Sequence, residues 1–359
     1  MVQAIRFSIV IDNYNYARFL PNAIDSCLQQ SYPAYEIIVV DDGSTDASRD
    51  ILLRYQGIEK VKIIFQENKG QAAALQHGFD RATGDWMLGL DSDDYYNLNC
   101  LEEISKRIDG KVDWIYFRAS VVDVNGVKFG TKPDANVRLM QGETWIPWLI
   151  NGQFHTFPPQ SFHCRSATYL RSVKLYPNRY VDLKTAIWPD TYLHLLSAFD
   201  CQAVGIDMEL GCYRDHVGGD SKIAFRSFPR IRNRLRGQIM AEEIVTNRLR
   251  EKGVSTRHDF CVYSTYAYWP ERLISLVYDP AGHPHPKDSR IGLLLRILMT
   301  YVTRGQLRLL GMARAFLQYA AISAMPKELA WKIYKLPPTR KIYEEALIRL
   351  RRRVTRASL

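Results

Sequence analysis

Blocks of apolar and polar positions alternate through the first hundred residues and predict strands and helices in turn. Apolar runs rich in β-branched residues are typical of buried strands, and four of them occupy residues 5–11, 36–42, 61–66 and 86–90. Helical spacing of apolar residues separates these runs, at residues 19–30, 47–55 and 71–82. Strands that alternate with helices indicate βαβ units, so the pattern predicts an α/β fold around a parallel sheet.

Acidic side chains stand where three of these strands end. Asp12 follows the first strand, Asp41 and Asp42 end the second, and Asp91 and Asp93 follow the fourth. In open parallel sheets, ligands bind beyond the carboxyl ends of the strands. We therefore expect these carboxylates to meet at one edge of the sheet and form a binding site.

The run Asp91-Ser92-Asp93-Asp94 is the strongest local signal for chemistry. Alternate residues of an extended chain point the same way, so two of its carboxylates can share a ligand. A divalent cation held there would neutralise a diphosphate leaving group. The alternative is a solvated turn or the N-cap of a helix predicted at Leu98–Ile108. The position after an apolar strand, beside other strand-end acids, favours the metal site.

The carboxylate of Asp42 has two interpretations. An ionised Asp is only an acceptor, so it could receive a hydrogen bond from a base N–H or a ribose hydroxyl. The sequence Asp42-Gly43-Ser44 is also well suited to a β-turn. Taken alone, this run favours the turn.

Past residue 110 the pattern is less regular and includes loops rich in aromatic residues and proline. It predicts strands at 113–123 and 201–207, a loop or short helix at 145–160, and helices at 190–199 and 226–252. Arginines interrupt the apolar stretches after residue 290, so none reaches the roughly 20 apolar residues of a membrane span. The best candidate boundary is residues 280–287, PAGHPHPK.

Composition and charge narrow the class of protein. A chain of 359 residues with 47% hydrophobic and 24% charged residues is typical of globular proteins. Its six cysteines are scattered without a C-x-x-C pair, which argues against a zinc module or disulfide framework and favours a reducing compartment. The start MVQAIRFSIVID lacks the zones of a secretory signal, so we expect a cytoplasmic location.

The net charge of +10 belongs to one end of the chain. Residues 289–359 contain 15 Lys/Arg and 3 Asp/Glu, a net charge of +12, whereas residues 1–288 carry −2. A nucleic-acid binder would not have an acidic front half, so we expect no nucleic-acid partner. The basic, amphipathic C-terminal region could lie on the anionic inner face of a membrane as a peripheral contact, or form a helical subdomain.

Two long segments, FSIVIDNYNYARFLPNAIDSCLQQSYPAYEIIVVDDGSTDAS and ENKGQAAALQHGFDRATGDWMLGLDSDD, resemble a known family. They are similar to the N-terminal half of inverting family 2 glycosyltransferases, densely over residues 5–101 and more thinly to about 222. The resemblance implies a GT-A fold, a Rossmann-like mixed sheet that binds nucleotide-diphosphate sugars. It implies a catalytic domain over 1–225, with a donor-binding half (1–110) and an acceptor-side half (111–225). A mostly helical, basic extension would follow over 226–359.

The resemblance also implies roles for single residues. Asp12 and Tyr14 fall where the family's first strand touches the nucleoside, and Asp42 falls where a carboxylate reads the base. Asp91 falls on the acid that faces the nucleotide, and Asp93 on the acid that ligates Mn²⁺ or Mg²⁺. Two departures from the family pattern concern the base and sugar preference. Asp12-Asn13 replaces the frequent Pro-Thr, and Leu75-Gln76 replaces an Arg-Asn pair.

Two further motifs lie closer to the middle of the chain. IWPDTYLHLL resembles the family segment whose acid is the catalytic base, which points to Asp190; a helix N-cap after Pro189 is the alternative. Tyr213-Arg214-Asp215-His216 resembles a closing loop. There, His216 would complete the metal's ligands, and Arg214 or Lys222 would meet the diphosphate.

These expectations combine into a metal-dependent inverting transferase. We expect it to move a sugar from a UDP-sugar to a hydroxyl of a saccharide, lipid-linked or other acceptor, in bacterial surface polysaccharide or glycolipid assembly. A non-catalytic nucleotide-sugar-binding scaffold of the same fold is the alternative. A nucleotidyltransferase is disfavoured, because Asp12–Tyr16 offers no Gly-rich basic loop after the first strand.

Overall fold

The computed structural model describes residues 4–133, 141–143, 159–172 and 199–216, with isolated positions among 135–139, 193–197 and 247–293. Ten strands are described: β1 (Phe7–Asn13), β2 (Glu36–Asp41), β3 (Val61–Phe65), β4 (Trp86–Asp91), β5 (Tyr95–Tyr96), β6 (Trp114–Val122), β7 (Lys128–Lys132), β8 (Gln141–Glu143), β9 (His163–Ser166) and β10 (Ala203–Arg214). The helices are α1 (Leu20–Leu28), α2 (Ser48–Tyr55), α3 (Gln71–Arg81), α4 (Cys100–Ser105) and α5 (Ala167–Ser172), with a 3-10 helix at Gln160–Phe162.

The strands form one mixed sheet in the order β3-β2-β1-β4-β9-β6-β10-β5, with β7 on β6 and β8 on β10. The pairs within β3-β2-β1-β4 are parallel, which confirms the parallel sheet predicted for the first hundred residues. Beyond it the sheet turns mixed, because β9 runs antiparallel to both β4 and β6. The α/β class and the mixed sheet implied by the family resemblance are therefore confirmed.

The burial of the first strands in the core explains why their sequences are continuous apolar runs. Every residue of β1 and β2 is buried, as is all of β4 except Asp91, because helices or other chain segments cover both faces. Helix α3 packs closely on β1 through Gly78, where an added Cβ would lie 2.2 Å from Cγ1 of Val10. This close packing fixes the position of α3 relative to β1. The first residue of α3 therefore lies near the carboxyl end of β1, at the sheet edge where the site is found.

The end of β10 differs from the expectation. The sequence predicts a strand only at residues 201–207 and a loop around Tyr213, whereas β10 extends to Arg214. It continues because its second half pairs with β6, up to Arg214 opposite Val122, while Cys212 pairs with Tyr95 of β5. A strand thus carries Arg214 to the site.

The chain divides into two compact units, Met1–Tyr263 and Ser264–Leu359. The predicted domain boundary at 225, the candidate boundary at 280–287 and the predicted helix at 226–252 fall mostly outside the described residues, so they remain predictions. Of the helix predicted at 190–199, the described positions Leu193, His194, Ser197 and Phe199 are helical. Among the described residues, no helix has both the length and the apolar character to cross a membrane.

Candidate active site at the carboxyl edge of the sheet

The parallel register brings the predicted acids together at one edge. Asp12 on β1 lies directly beside Asp91 on β4. Gln71, the first residue of α3, donates a hydrogen bond to Asp91 at 3.0 Å and also contacts the carboxylate of Asp12. The expected convergence of the strand-end acids is therefore observed.

The carboxyl group of Asp12 is strongly perturbed by its surroundings. Burial, reinforced by the charge of Asp93, raises the pKa of Asp12 to about 8. Its Oδ1 is buried and has no hydrogen-bond partner among the described residues. A buried carboxyl oxygen without a donor is costly, and a bound cation or a ligand N–H would offset that cost. Asp12 thus marks this edge as a place built for a ligand.

The acids after β4 form a compact group. Ligand atoms of Asp91, Asp93 and Asp94 all lie within 4.8 Å of one another. The Nε2 atom of His216 lies 2.9 Å from Oδ2 of Asp93. The ring of His216 packs at 5.6 Å from Tyr16 and 5.1 Å from Phe19, centroid to centroid, which fixes its orientation. Carboxylate oxygens with an imidazole suit Mn²⁺, and carboxylates alone suit Mg²⁺.

Within this group, Asp94 has a different environment from its neighbours. It is buried, and its two carboxylate oxygens accept hydrogen bonds from the Ser161 hydroxyl at 2.7 Å and the Arg214 backbone N–H at 2.8 Å. Burial, reinforced by the charge of Asp93, raises the pKa of Asp94 well above its usual range. With both oxygens bound by protein donors, Asp94 holds the loop in place.

Asp42 is held rigidly at the end of β2. Its Oδ1 accepts hydrogen bonds from the Gln66 amide (2.7 Å) and the Lys69 backbone (2.8 Å), and its Oδ2 accepts one from the Gly70 backbone (2.8 Å). A carboxylate has about four acceptor positions, so one remains for a ligand. The chain bends at Gly43, where Oδ1 of Asp41 accepts a hydrogen bond from the Ser44 N–H at 3.0 Å; the β-turn interpretation stays a prediction.

Two predicted ligand contacts have contrasting surroundings. Tyr14 is 45% exposed at the end of β1, available to a nucleoside. Arg214 is 7% exposed, and its guanidinium is directed at protein acceptors, among them the Asp93 carbonyl at 2.9 Å and Asn22 Oδ1 at 2.9 Å. Contact of Arg214 with a diphosphate stays a prediction. Asp190 and Lys222 lie outside the described residues.

Sequence reasoning missed three residues that shape the site. Gln71 joins Asp12 to Asp91, Ser161 joins the ends of the Asp91–Asp94 loop, and Asn22 supports Arg214. Gln71 had a signal, because a polar residue opening a helix after Gly70 lies at the same sheet edge as the acids. Ser161 and Asn22 had none, since their partners lie 67 to 192 positions away.

Comparison with known proteins agrees with this geometry. The profile described as "Glycosyl transferase family 2" matches residues 8–174. These residues therefore form a domain of glycosyl transferase family 2. Together with β10, which lies beyond the match, they build a mixed sheet of the GT-A type. The predicted family is confirmed.

Individual relatives give the range of similarity. The chain is 34% identical over 218 residues to an uncharacterised glycosyltransferase, alr2836, of Nostoc sp., covering 59% of this chain and 65% of that one. It is 39% identical over 98 residues to TuaG of Bacillus subtilis, a putative teichuronic acid biosynthesis glycosyltransferase, covering 27% of this chain and 39% of that one. The chain thus spans less than two thirds of these relatives' lengths.

Solved structures support the fold. The chain is similar to S. aureus TarS residues 1–349 in complex with UDP-GlcNAc, with a TM-score of 0.54 and 17% identity over 84% of this chain and 88% of that one. A second TarS structure gives a TM-score of 0.52 and 18% identity, covering 84% of this chain and 53% of that one. At this identity the likeness concerns the fold alone.

Proposed function

We propose that this protein is a metal-dependent inverting glycosyltransferase that moves a sugar from a nucleotide-diphosphate donor to a hydroxyl acceptor. One observation carries the proposal: Asp91 and Asp93 lie near Asp12, whose buried Oδ1 has no hydrogen-bond partner among the described residues, at the carboxyl edge of a family 2 domain. Such an edge is where α/β sheets bind ligands. In this protein the edge brings several carboxylates together, and so much buried negative charge is costly unless a cation or a proton compensates for it.

The residues present fit Mn²⁺ or Mg²⁺. Asp93 and His216 would hold the ion, with Asp91 beside it. When bound, the ion supplies positive charge against the diphosphate as it leaves the sugar. The protein prepares this position, because the Asp93 carboxylate and the His216 ring already face each other, and Tyr16 and Phe19 hold that ring in place.

The nucleoside would lie between the ends of β1 and β2. Asp42 offers one remaining acceptor position to a base N–H, and Tyr14 offers an exposed ring for stacking. A single acceptor matches the single ring N–H of uracil. UDP is therefore the proposed carrier, and the UDP-GlcNAc complex of TarS, which has a similar fold, supports it.

Asp190 is the proposed base. Inversion requires a carboxylate opposite the leaving diphosphate, which takes the proton from the acceptor hydroxyl as that oxygen attacks the anomeric carbon. A saccharide or lipid-linked acceptor in surface polysaccharide or glycolipid assembly is the proposed setting, which the name of the TuaG relative supports. We propose a cytoplasmic location, with peripheral contact to the inner face of the membrane.

The test is a panel of nucleotide-sugars incubated with the full chain, with Mn²⁺, Mg²⁺ or EDTA, and release of the nucleoside diphosphate as the readout. We expect release from a UDP-sugar that EDTA abolishes and Mn²⁺ restores. Asp93→Asn should lower the rate at least about 100-fold at fixed Mn²⁺, because it removes a charged ligand.

The matched control is Asp109→Asn, an exposed acid that only caps a turn through the Lys111 N–H. It should retain the wild-type rate. Release of the nucleoside diphosphate without metal would contradict the proposed role of the ion. Binding of a UDP-sugar without release or transfer under any condition would favour the non-catalytic scaffold instead.

A further inference from the structure

Arg214 ends β10 and reaches three separate segments of the chain. Its Nε donates to the Asp93 carbonyl at 2.9 Å, and its Nη2 donates to Oδ1 of Asn22 on α1 at 2.9 Å. Its Nη1 faces the carbonyls of Asp123 and Val124, in the turn after β6, at 3.5 and 3.4 Å. One side chain therefore links the loop that carries the acids to a helix and a turn.

The guanidinium is also enclosed by aromatic rings. It lies 4.7 Å from the ring centroid of Phe19 and 5.2 Å from that of Tyr95. Burying a cation costs free energy unless hydrogen bonds and favourable electrostatics compensate for the lost water. Carbonyl acceptors and two ring faces provide that compensation without a ligand.

The main chain of Arg214 holds the same loop a second time. Its N–H donates to Oδ1 of Asp94, while Ser161 donates to Oδ2 from the other side. Ser161 also accepts a hydrogen bond from the N–H of Asp91 at 3.1 Å. Two residues beyond Arg214, His216 contacts the Asp93 carboxylate. The backbone of the loop is thus fixed on both sides of Asp93.

We propose that Arg214 is a positioning residue: it holds the Asp91–Asp94 loop in place and so sets the affinity of Asp93 and His216 for a divalent cation. It does not bind the diphosphate. This inference rests on the proposed metal-dependent function. It replaces the role that the family resemblance implies for Arg214.

The contacts disfavour a diphosphate role on physical grounds. A guanidinium has five N–H donors, and four of its contacts go to protein oxygens. Turning it toward a phosphate would leave the Asp93 carbonyl and Asn22 without their donor, and it would separate the cation from both rings. Losing hydrogen bonds to a charged group is costly when the group is buried.

The first measurement is hydrogen exchange of the metal-free full chain. Arg214→Lys keeps the charge but loses the planar fork that reaches several acceptors at once. We expect faster exchange in the segment 91–97, including the Asp94 N–H that binds the Asp91 carbonyl at 2.9 Å. Asn22→Ala removes one support from an exposed position and should act in the same direction by less, with the fold intact.

The second measurement is Mn²⁺ titration without nucleotide. Residues that orient metal ligands typically change metal affinity by about 10- to 100-fold when mutated, and we expect a loss in this range for Arg214→Lys. The matched control is Arg171→Lys, an arginine that binds the backbone carbonyls of Ala82 and Gly84 at the amino end of β4. It should change neither readout.

The possible outcomes distinguish failure of the Arg214 inference from failure of the proposed metal-dependent function. Unchanged exchange in 91–97 together with unchanged Mn²⁺ affinity, but weaker UDP binding in Mn²⁺, would overturn the inference and make Arg214 a diphosphate ligand. Faster exchange with unchanged Mn²⁺ affinity would also overturn it. Wild-type protein that binds no Mn²⁺ would instead overturn the proposed metal dependence, and exchange would still decide whether Arg214 holds the loop.

Discussion

Neighbouring acids of one short motif acquire different roles from their surroundings. Asp93 faces His216 at the surface of the site, whereas the next residue, Asp94, is buried between Ser161 and the Arg214 backbone. The motif therefore supplies chemically identical side chains, and contacts from distant segments decide which of them can take a ligand. Arg214 shows the same effect, since buried acceptors occupy a group that a motif assigns to the substrate.

At this scale the proposed base can be tested directly. Asp190→Asn should leave UDP binding in Mn²⁺ within about threefold of wild type and lower UDP-sugar hydrolysis by about 100-fold or more, because only deprotonation of the attacking water is lost. Thermal stabilisation by UDP and release of UDP are the measurements. Asp200→Asn, just after the helix predicted at 190–199, serves as the control. Normal hydrolysis by the Asp190 variant would refute the assignment.

In the parallel part of the sheet, the carboxyl ends and the amino ends of the strands have different roles. The carboxyl ends of β1, β2 and β4 carry the acids of the site, while the amino ends are held by a buried charge, Glu36. Glu36 accepts hydrogen bonds from the Ser8 hydroxyl (2.6 Å), the Thr83 N–H (2.6 Å) and Lys62 Nζ (2.5 Å). This network joins β1, β2, β3 and the turn before β4, so it stabilises the sheet away from the chemistry.

Glu36 predicts a pH dependence of folding. Burial raises the pKa of Glu36, but the hydrogen bonds from Lys62, Ser8 and Thr83 outweigh burial and lower it from 4.5 to about 2. A lowered folded-state pKa gives stability that is present above the unfolded value and is lost as the pH falls toward the folded value. Glu36→Gln should therefore cost about 2–3 kcal/mol in free energy of unfolding at pH 7 and much less near pH 2.5.

Urea unfolding at several pH values measures this difference. Glu59→Gln, an exposed acid before β3, should match wild type throughout. A penalty for Glu36→Gln that stays the same from pH 7 to pH 2.5 would show that the ionised carboxylate is not what stabilises the sheet.

At the scale of the whole chain, charge divides the sequence into two parts. The first 288 residues carry a net charge of −2, and the site within them is acidic, whereas the last 71 residues carry +12. An acidic site needs a cation to accept an anionic donor, which is consistent with the proposed metal. For the basic end we propose contact with an anionic surface, where each basic residue contributes about 1 kcal/mol.

Vesicle binding tests the proposed membrane contact. The full chain should float with vesicles that contain anionic lipid and stay unbound with neutral ones. Replacing Arg351, Arg352 and Arg353 by Gln should weaken binding by about tenfold or more. Replacing Lys60, Arg107 and Lys111 by Gln removes the same charge from the front of the chain and should have little effect. Equal loss for both variants, or equal binding to neutral vesicles, would contradict a specific contact by the basic end.

By itself, the sequence determined the local elements and which strand ends carry acids. Burial on both faces makes β1, β2 and β4 continuous apolar runs, and the polar breaks fall where these strands end, so both features are visible in short windows. Only the tertiary structure decided the mixed half of the sheet and the length of β10, because antiparallel β9 and the partners of Arg214 come from distant positions. It likewise decided that Ser161 and Asn22 support the site. A hydrogen bond across 67 to 192 residues leaves no periodic trace along the chain.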